Sequence, residues 1–116
     1  MFLGKWWPFG RVPEIDAREL SAAIARNELQ LVDVRTGLEF GRSRIAGARH
    51  LPITRFTQAE LKRLGLDRSR PVVAICLSAH RSIPAVRVLR GLGYDARQLR
   101  GGMLAWWRVG FPCEND

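Results

Sequence analysis

The sequence predicts an α/β domain built on a mostly parallel sheet. Three observations lead there. Short apolar runs alternate along the chain with stretches of helical period. One of those runs, Val72–Ile75, is apolar at every position, as in a strand covered on both faces. The 116 residues, 47 % of them hydrophobic, suffice for one domain around one core.

Residues 1–12 differ from the rest. The run Met1-Phe2-Leu3-Gly4-Lys5-Trp6-Trp7-Pro8-Phe9-Gly10 is aromatic, broken by Gly and Pro, and lacks periodicity. It reads as an aromatic N-terminal arm ahead of a domain over 13–116. Trp6, Trp7 and Phe9 either pack onto that domain or anchor it to a partner or membrane surface.

The first helix is expected to start at Asp16, which can cap it. Glu19 follows three residues on, Ile15 can staple to Leu20, and Leu20, Ala23 and Ile24 share a face. A strand follows at Leu29–Val34, then a short helix or turn at Thr36–Arg42, then a short strand at Ala48–Leu51 ended by Pro52. Thr57 with Glu60 forms a second cap, for a helix running to about Leu64 and stopped by Gly65. Pro71 introduces the strand Val72–Ile75. The helix over 83–92 places Ala85, Val88, Leu89 and Leu92 on one face, with Pro84 in its first turn and Gly91 and Gly93 at its end. Ala96–Leu99 is a last strand, Gly101-Gly102 a turn and Met103–Arg108 a final short helix, whose Trp106 and Trp107 are expected to pack partly or wholly against the core.

The formal net charge is +8, from 19 Lys and Arg against 11 Asp and Glu. The basic residues are scattered, with no stripe for nucleic acid, so the charge suits small anionic substrates instead. Only two cysteines occur, Cys76 and Cys113. That is too few for a disulfide framework, and no Cys/His cluster has zinc spacing, so a reducing, cytoplasmic location is expected. No apolar run has the length of an integral membrane segment.

The chemistry of the chain centres on Cys76. It closes the apolar run Val72–Ile75 and opens Cys76-Leu77-Ser78-Ala79-His80-Arg81-Ser82, directly before a helix. Strand, short loop and helix place a sulfur where backbone N–H groups and the positive end of a helix dipole converge. Such a site favours a thiolate and binds anions. A buried structural cysteine is the alternative, but the polar, basic run after Cys76 would be costly to bury. Four residues separate Cys76 from Arg81. A cysteine phosphatase or arsenate reductase needs a wider loop around a tetrahedral oxyanion, whereas a tight loop suits one extra sulfur atom. Cys113 is read as an incidental thiol or as a resolving cysteine.

Four segments, in order, resemble the rhodanese-like family of single-domain sulfurtransferases across about residues 14–112. They are Leu31-Val32-Asp33-Val34-Arg35; Glu39-Phe40 with Ile45-Ala46-Gly47-Ala48-Arg49-His50-Leu51-Pro52; the loop Cys76 to Ser82; and Leu99-Arg100-Gly101-Gly102-Met103-Leu104-Ala105-Trp106. The resemblance implies a single rhodanese-like domain, its central, mostly parallel five-stranded sheet flanked by helices on both faces. It implies a persulfide on Cys76 as catalytic residue, with Leu77, Ser78, Ala79, His80, Arg81 and Ser82 binding substrate and Asp33 and Arg35 supporting the loop. It further implies ping-pong transfer of sulfane sulfur from thiosulfate or another persulfide donor to a thiol or cyanide, with no cofactor and no metal. The family usually has glycine where Ala79 stands and often histidine at Arg44. Leu77 and Ser78 are not basic, which leaves room for a thiol or a protein persulfide partner as donor, and Ala79 with the aromatic arm leaves room for a carrier or interaction module of low activity.

Overall fold

A computed structural model describes Trp7 and residues 9–116. Met1 to Trp6 and Pro8, and with them most of the expected arm, lie outside the described residues. In chain order the elements are β1 (Glu14–Ile15), α1 (Ala17–Ala25), β2 (Gln30–Asp33), α2 (Gly37–Arg42), β3 (Arg49–His50), a single 3-10 turn (Ile53–Arg55), α3 (Gln58–Leu64), β4 (Val72–Ile75), α4 (Ser82–Gly91), β5 (Ala96–Leu99) and α5 (Gly102–Val109). The five strands form one sheet in the order β1-β5-β4-β2-β3, and every strand pair is parallel.

Local chemistry explains the boundaries. Asp16 accepts from the Glu19 amide at 2.8 Å and starts α1. Thr36 and Glu39 form a reciprocal capping box that settles Thr36–Arg42 as a helix. Thr57 caps α3, which ends where Gly65 turns left-handed at φ +66°. The two-residue edge strand β1 was not anticipated, because a strand this short has no readable period.

Alternation along β4 sorts the core. Val72, Ala74 and Cys76 face one side, where Phe56 and Leu61 from α3 and the turn before it, and Ala85, Val86 and Leu89 of α4, pack on them. Val73 and Ile75 face the other, against Leu20 of α1 and Met103 and Trp106 of α5. With helices on both faces, all four β4 residues are fully buried, as the uninterrupted apolar run implied. Trp106 is buried and its indole donates to the Pro112 carbonyl at 3.0 Å. Trp107 is only partly covered, 39 % exposed, and its indole donates to Ser43 Oγ at 3.0 Å.

Trp7 and Phe9 are strapped to α4. Arg87 donates to their carbonyls at 2.6 and 2.7 Å, and Phe9 meets the His80 ring edge-on at 5.8 Å. Both aromatic side chains remain about half exposed. No helix among the described residues is long and apolar enough to cross a membrane.

Candidate active site

Cys76 leaves the carboxyl end of the central strand, and its sulfur lies at the start of α4. Sγ is 3.3 Å from the Ser82 hydroxyl, and the residue is 1 % exposed. Ligands of open parallel sheets sit at this end of the strands. The loop between them, Leu77–Arg81, donates none of its five amides to a protein acceptor among the described residues. Ser78 and His80 are exposed, and Leu77, Ala79 and Arg81 half-buried. The loop is therefore rich in N–H donors, with the N-terminus of a ten-residue helix beneath it.

What the loop lacks in donated amides it has in anchored carbonyls. The Met103 amide donates to Cys76 O at 2.9 Å and the Leu104 amide to Leu77 O at 3.0 Å. These are first-turn N–H groups of α5, which no helical carbonyl can satisfy. Only glycine permits this approach. A Cβ on Gly102, at φ +58°, would fall 2.4 Å from Cys76 O and 2.5 Å from Leu77 O. Gly101-Gly102 was expected as a turn; it is also the fastener of the cysteine loop.

Ala79 stands at φ +154°, in a region that side-chain-bearing residues seldom enter. Its carbonyl accepts from Ser82 Oγ at 2.8 Å, which pins the loop at that point. Glycine would hold the same backbone without strain.

Arg81 does not direct its guanidinium at the sulfur. It forks onto Glu39 at 2.7 and 2.9 Å, joining the loop to α2. The Arg81 fork, reinforced by Thr36, holds the Glu39 carboxyl down at about 2 against partial desolvation. Arg81 in turn is held above its ordinary value by its hydrogen bonds to Glu39, against partial desolvation.

Asp33 and Arg35 form the framework one strand away, both fully buried. Arg35 Nε and Nη2 meet the two carboxylate oxygens at 2.8 to 3.2 Å, and Nη2 also donates to Ser43 O at 2.6 Å. His50 donates to the Arg35 carbonyl at 2.7 Å and stacks on Phe40. Arg44 pairs with Glu114 and Asp116 and lies over the Phe40 ring, tying the carboxyl-terminal residues to α2. Both cysteines are free thiols, and Cys113 is exposed.

Two polar residues at the site, Glu39 and Gln98, were given no role there from the sequence. Glu39 had a readable signal, the Thr36-x-x-Glu39 capping pattern, but its partner is 42 residues away. Gln98, 3 % exposed, accepts from the Ser82 hydroxyl at 2.6 Å; in the mixed strand Ala96-Arg97-Gln98-Leu99 nothing in the sequence marks it.

Known proteins agree with this architecture. The family model of the Rhodanese-like domain matches residues 16–108, so the chain belongs to that family. More particularly, it is 37 % identical over 103 residues to a sulfurtransferase of Allochromatium vinosum, covering 87 % of this chain and 94 % of that one. A crystal structure of a rhodanese-related protein from Thermoplasma volcanium superposes with a TM-score of 0.78 at 28 % identity, covering 90 % of this chain and all of that one. A thiosulfate sulfurtransferase from Pseudomonas aeruginosa gives the same TM-score at 25 % identity, but the match spans only 20 % of its chain.

Proposed function

We propose that this protein is a sulfurtransferase whose Cys76 carries sulfane sulfur as a persulfide. The observation that carries the reading is the placement of the sulfur. It lies at the end of the central strand and the start of α4, under a short loop whose amides are uncommitted and whose first two carbonyls are fastened by α5. Such a loop stabilises a compact anionic sulfur as an oxyanion hole stabilises an alkoxide. The sulfurtransferase from Allochromatium vinosum, matched over nearly its whole length, supports the same activity.

In the first half-reaction the Cys76 thiolate attacks the outer sulfur of a donor such as thiosulfate. The new S–S bond forms as the old one breaks, and sulfite leaves with the electron pair. In the second, cyanide or a thiolate attacks the terminal persulfide sulfur, taking it as thiocyanate or a new persulfide and returning the Cys76 thiolate. Donor and acceptor use the enzyme in turn, which gives ping-pong kinetics. In this scheme Leu77, Ser78, Ala79, His80 and Arg81 present their amides, Ser82 its hydroxyl, and Asp33 and Arg35 hold the neighbouring strand end. A cytoplasmic location and a domain over 13–116 behind an N-terminal arm belong to the same proposal.

A second reading is a persulfide carrier or interaction module that turns over slowly. The positive φ at Ala79 favours it, since strain there competes with the loop geometry that catalysis needs. Initial rates with thiosulfate and cyanide separate the two. Parallel double-reciprocal lines, abolished by Cys76→Ser, are expected of the enzyme. Persulfide uptake without thiocyanate turnover would make the chain a carrier.

A further inference from the structure

A row of polar side chains runs from the nucleophile to the sheet edge. In the parallel register Glu14 lies opposite Gln98, and Gln98 opposite Ala74, two residues before Cys76. Glu14, Gln98 and Cys76 therefore face the same side. Gln98 Nε2 donates to Glu14 Oε2 at 2.8 Å, and Arg100 Nε donates to the other Glu14 oxygen at 3.2 Å. An ionised carboxylate only accepts, so Glu14 fixes the Gln98 amide with its nitrogen outward and its oxygen inward. That oxygen is 2.6 Å from Ser82 Oγ, which also lies 2.8 Å from Ala79 O and 3.3 Å from Cys76 Sγ.

A hydroxyl has one hydrogen. Two carbonyl oxygens, neither able to donate, compete for it. The thiol satisfies this arrangement by donating S–H into a Ser82 lone pair. A thiolate does not, because Ser82 is then surrounded by three acceptors. For Ser82 to serve the sulfur it must leave Gln98 Oε1, and Glu14 keeps that amide from turning its NH2 inward instead.

We infer that Gln98 and Glu14 are positioning residues that hold the Ser82 hydroxyl hydrogen away from Cys76 and so restrain thiolate formation in the resting protein. The inference rests on Cys76 being the nucleophile, but not on any particular donor or acceptor. Removing the Gln98 carbonyl frees Ser82 for the sulfur, with Ala79 O left as a weaker competitor through a local i−3 bond.

The test is the ultraviolet thiolate absorbance of the full chain against pH, each protein read against its own Cys76→Ser counterpart so that Cys113 cancels. Gln98→Met is expected to move the half-point of the thiolate signal to lower pH by about half to one pH unit, a threefold to tenfold change. In a Ser82→Ala background the same substitution is expected to change nothing, since the hydroxyl it acts through is gone. Glu14→Ala, at a partly exposed side chain, is expected to shift the signal in the same direction by less, and it carries the test if Gln98→Met does not fold. An unmoved or raised half-point in Gln98→Met, or an equal shift with and without Ser82, would overturn the inference. Because the readout is protonation, failure of sulfur transfer in the unmodified protein would sink the proposed function without touching this result.

Discussion

Gly102→Ala is the substitution that bears most directly on how the cysteine loop is held. Two effects add. An L-residue at φ +58° costs about 1–2 kcal/mol. The new Cβ would also stand within 2.4 to 2.6 Å of Cys76 O, Leu77 O and Leu77 C, all backbone atoms with no rotamer to turn aside. Relief requires α5 and the loop to separate, which lengthens or breaks the amide bonds of Met103 and Leu104. At about 0.5–1.5 kcal/mol each, their loss brings the total to about 2–5 kcal/mol. Gly65→Ala is the control: its φ is +66° but nothing lies within 4 Å of the added carbon, so only the backbone penalty of about 1–2 kcal/mol applies. Urea unfolding of both variants measures the difference. Initial rates of persulfide formation should fall on the order of 100-fold in Gly102→Ala, as for a nucleophile displaced by about an ångström, and stay level in Gly65→Ala. Equal destabilisation of the two variants, with sulfur uptake intact in both, would refute the fastener.

Three further outcomes follow from the site. Ala79→Gly should relieve strain of about 1–3 kcal/mol against an entropy cost of about 0.5–1, leaving stability level or raised and quickening sulfur transfer; an ordinary Ala-to-Gly loss in a urea melt would show that the loop is unstrained. Glu39→Gln should flatten the acid limb of stability. The Glu39 carboxyl, at about 2 in the folded chain and ordinarily 4.5, contributes fully above 4.5, and that contribution disappears as pH falls toward 2. At a pair about one-third exposed the effect is on the order of 1 kcal/mol, and an unaltered acid limb in the variant would contradict it. Asp33→Asn leaves the Arg35 charge buried without its partner and should destabilise by about 3–5 kcal/mol in thermal or urea melts, whereas replacing both residues by apolar ones should cost less.

Much of this was legible because it is local. Asp16 and Thr57 announce their helices through spacing alone, and Val72–Ile75 announces a doubly covered strand because every position is apolar. Cys76 could be placed at a strand–loop–helix junction for the same reason. What stayed hidden depends on contacts between distant segments. Arg81 was legible as a residue of the cysteine loop, but nothing in either segment specifies Glu39 as the partner of its fork. Gly102 was visible as a glycine, but its close approach to Cys76 and Leu77 exists only once β4 and β5 lie side by side. Gln98 shows the limit most clearly: its role is set by Glu14 and Ser82, which come from other elements.

The central claim is that Cys76 accepts a single sulfur atom. Incubation with thiosulfate, removal of the donor, and intact-mass analysis with peptide mapping test it most directly. The expected result is an adduct of one sulfur on the Cys76 peptide, absent in Cys76→Ser and discharged by cyanide as thiocyanate. A folded protein that takes no sulfur from thiosulfate or from any persulfide donor, or that takes it only on Cys113, would contradict the account.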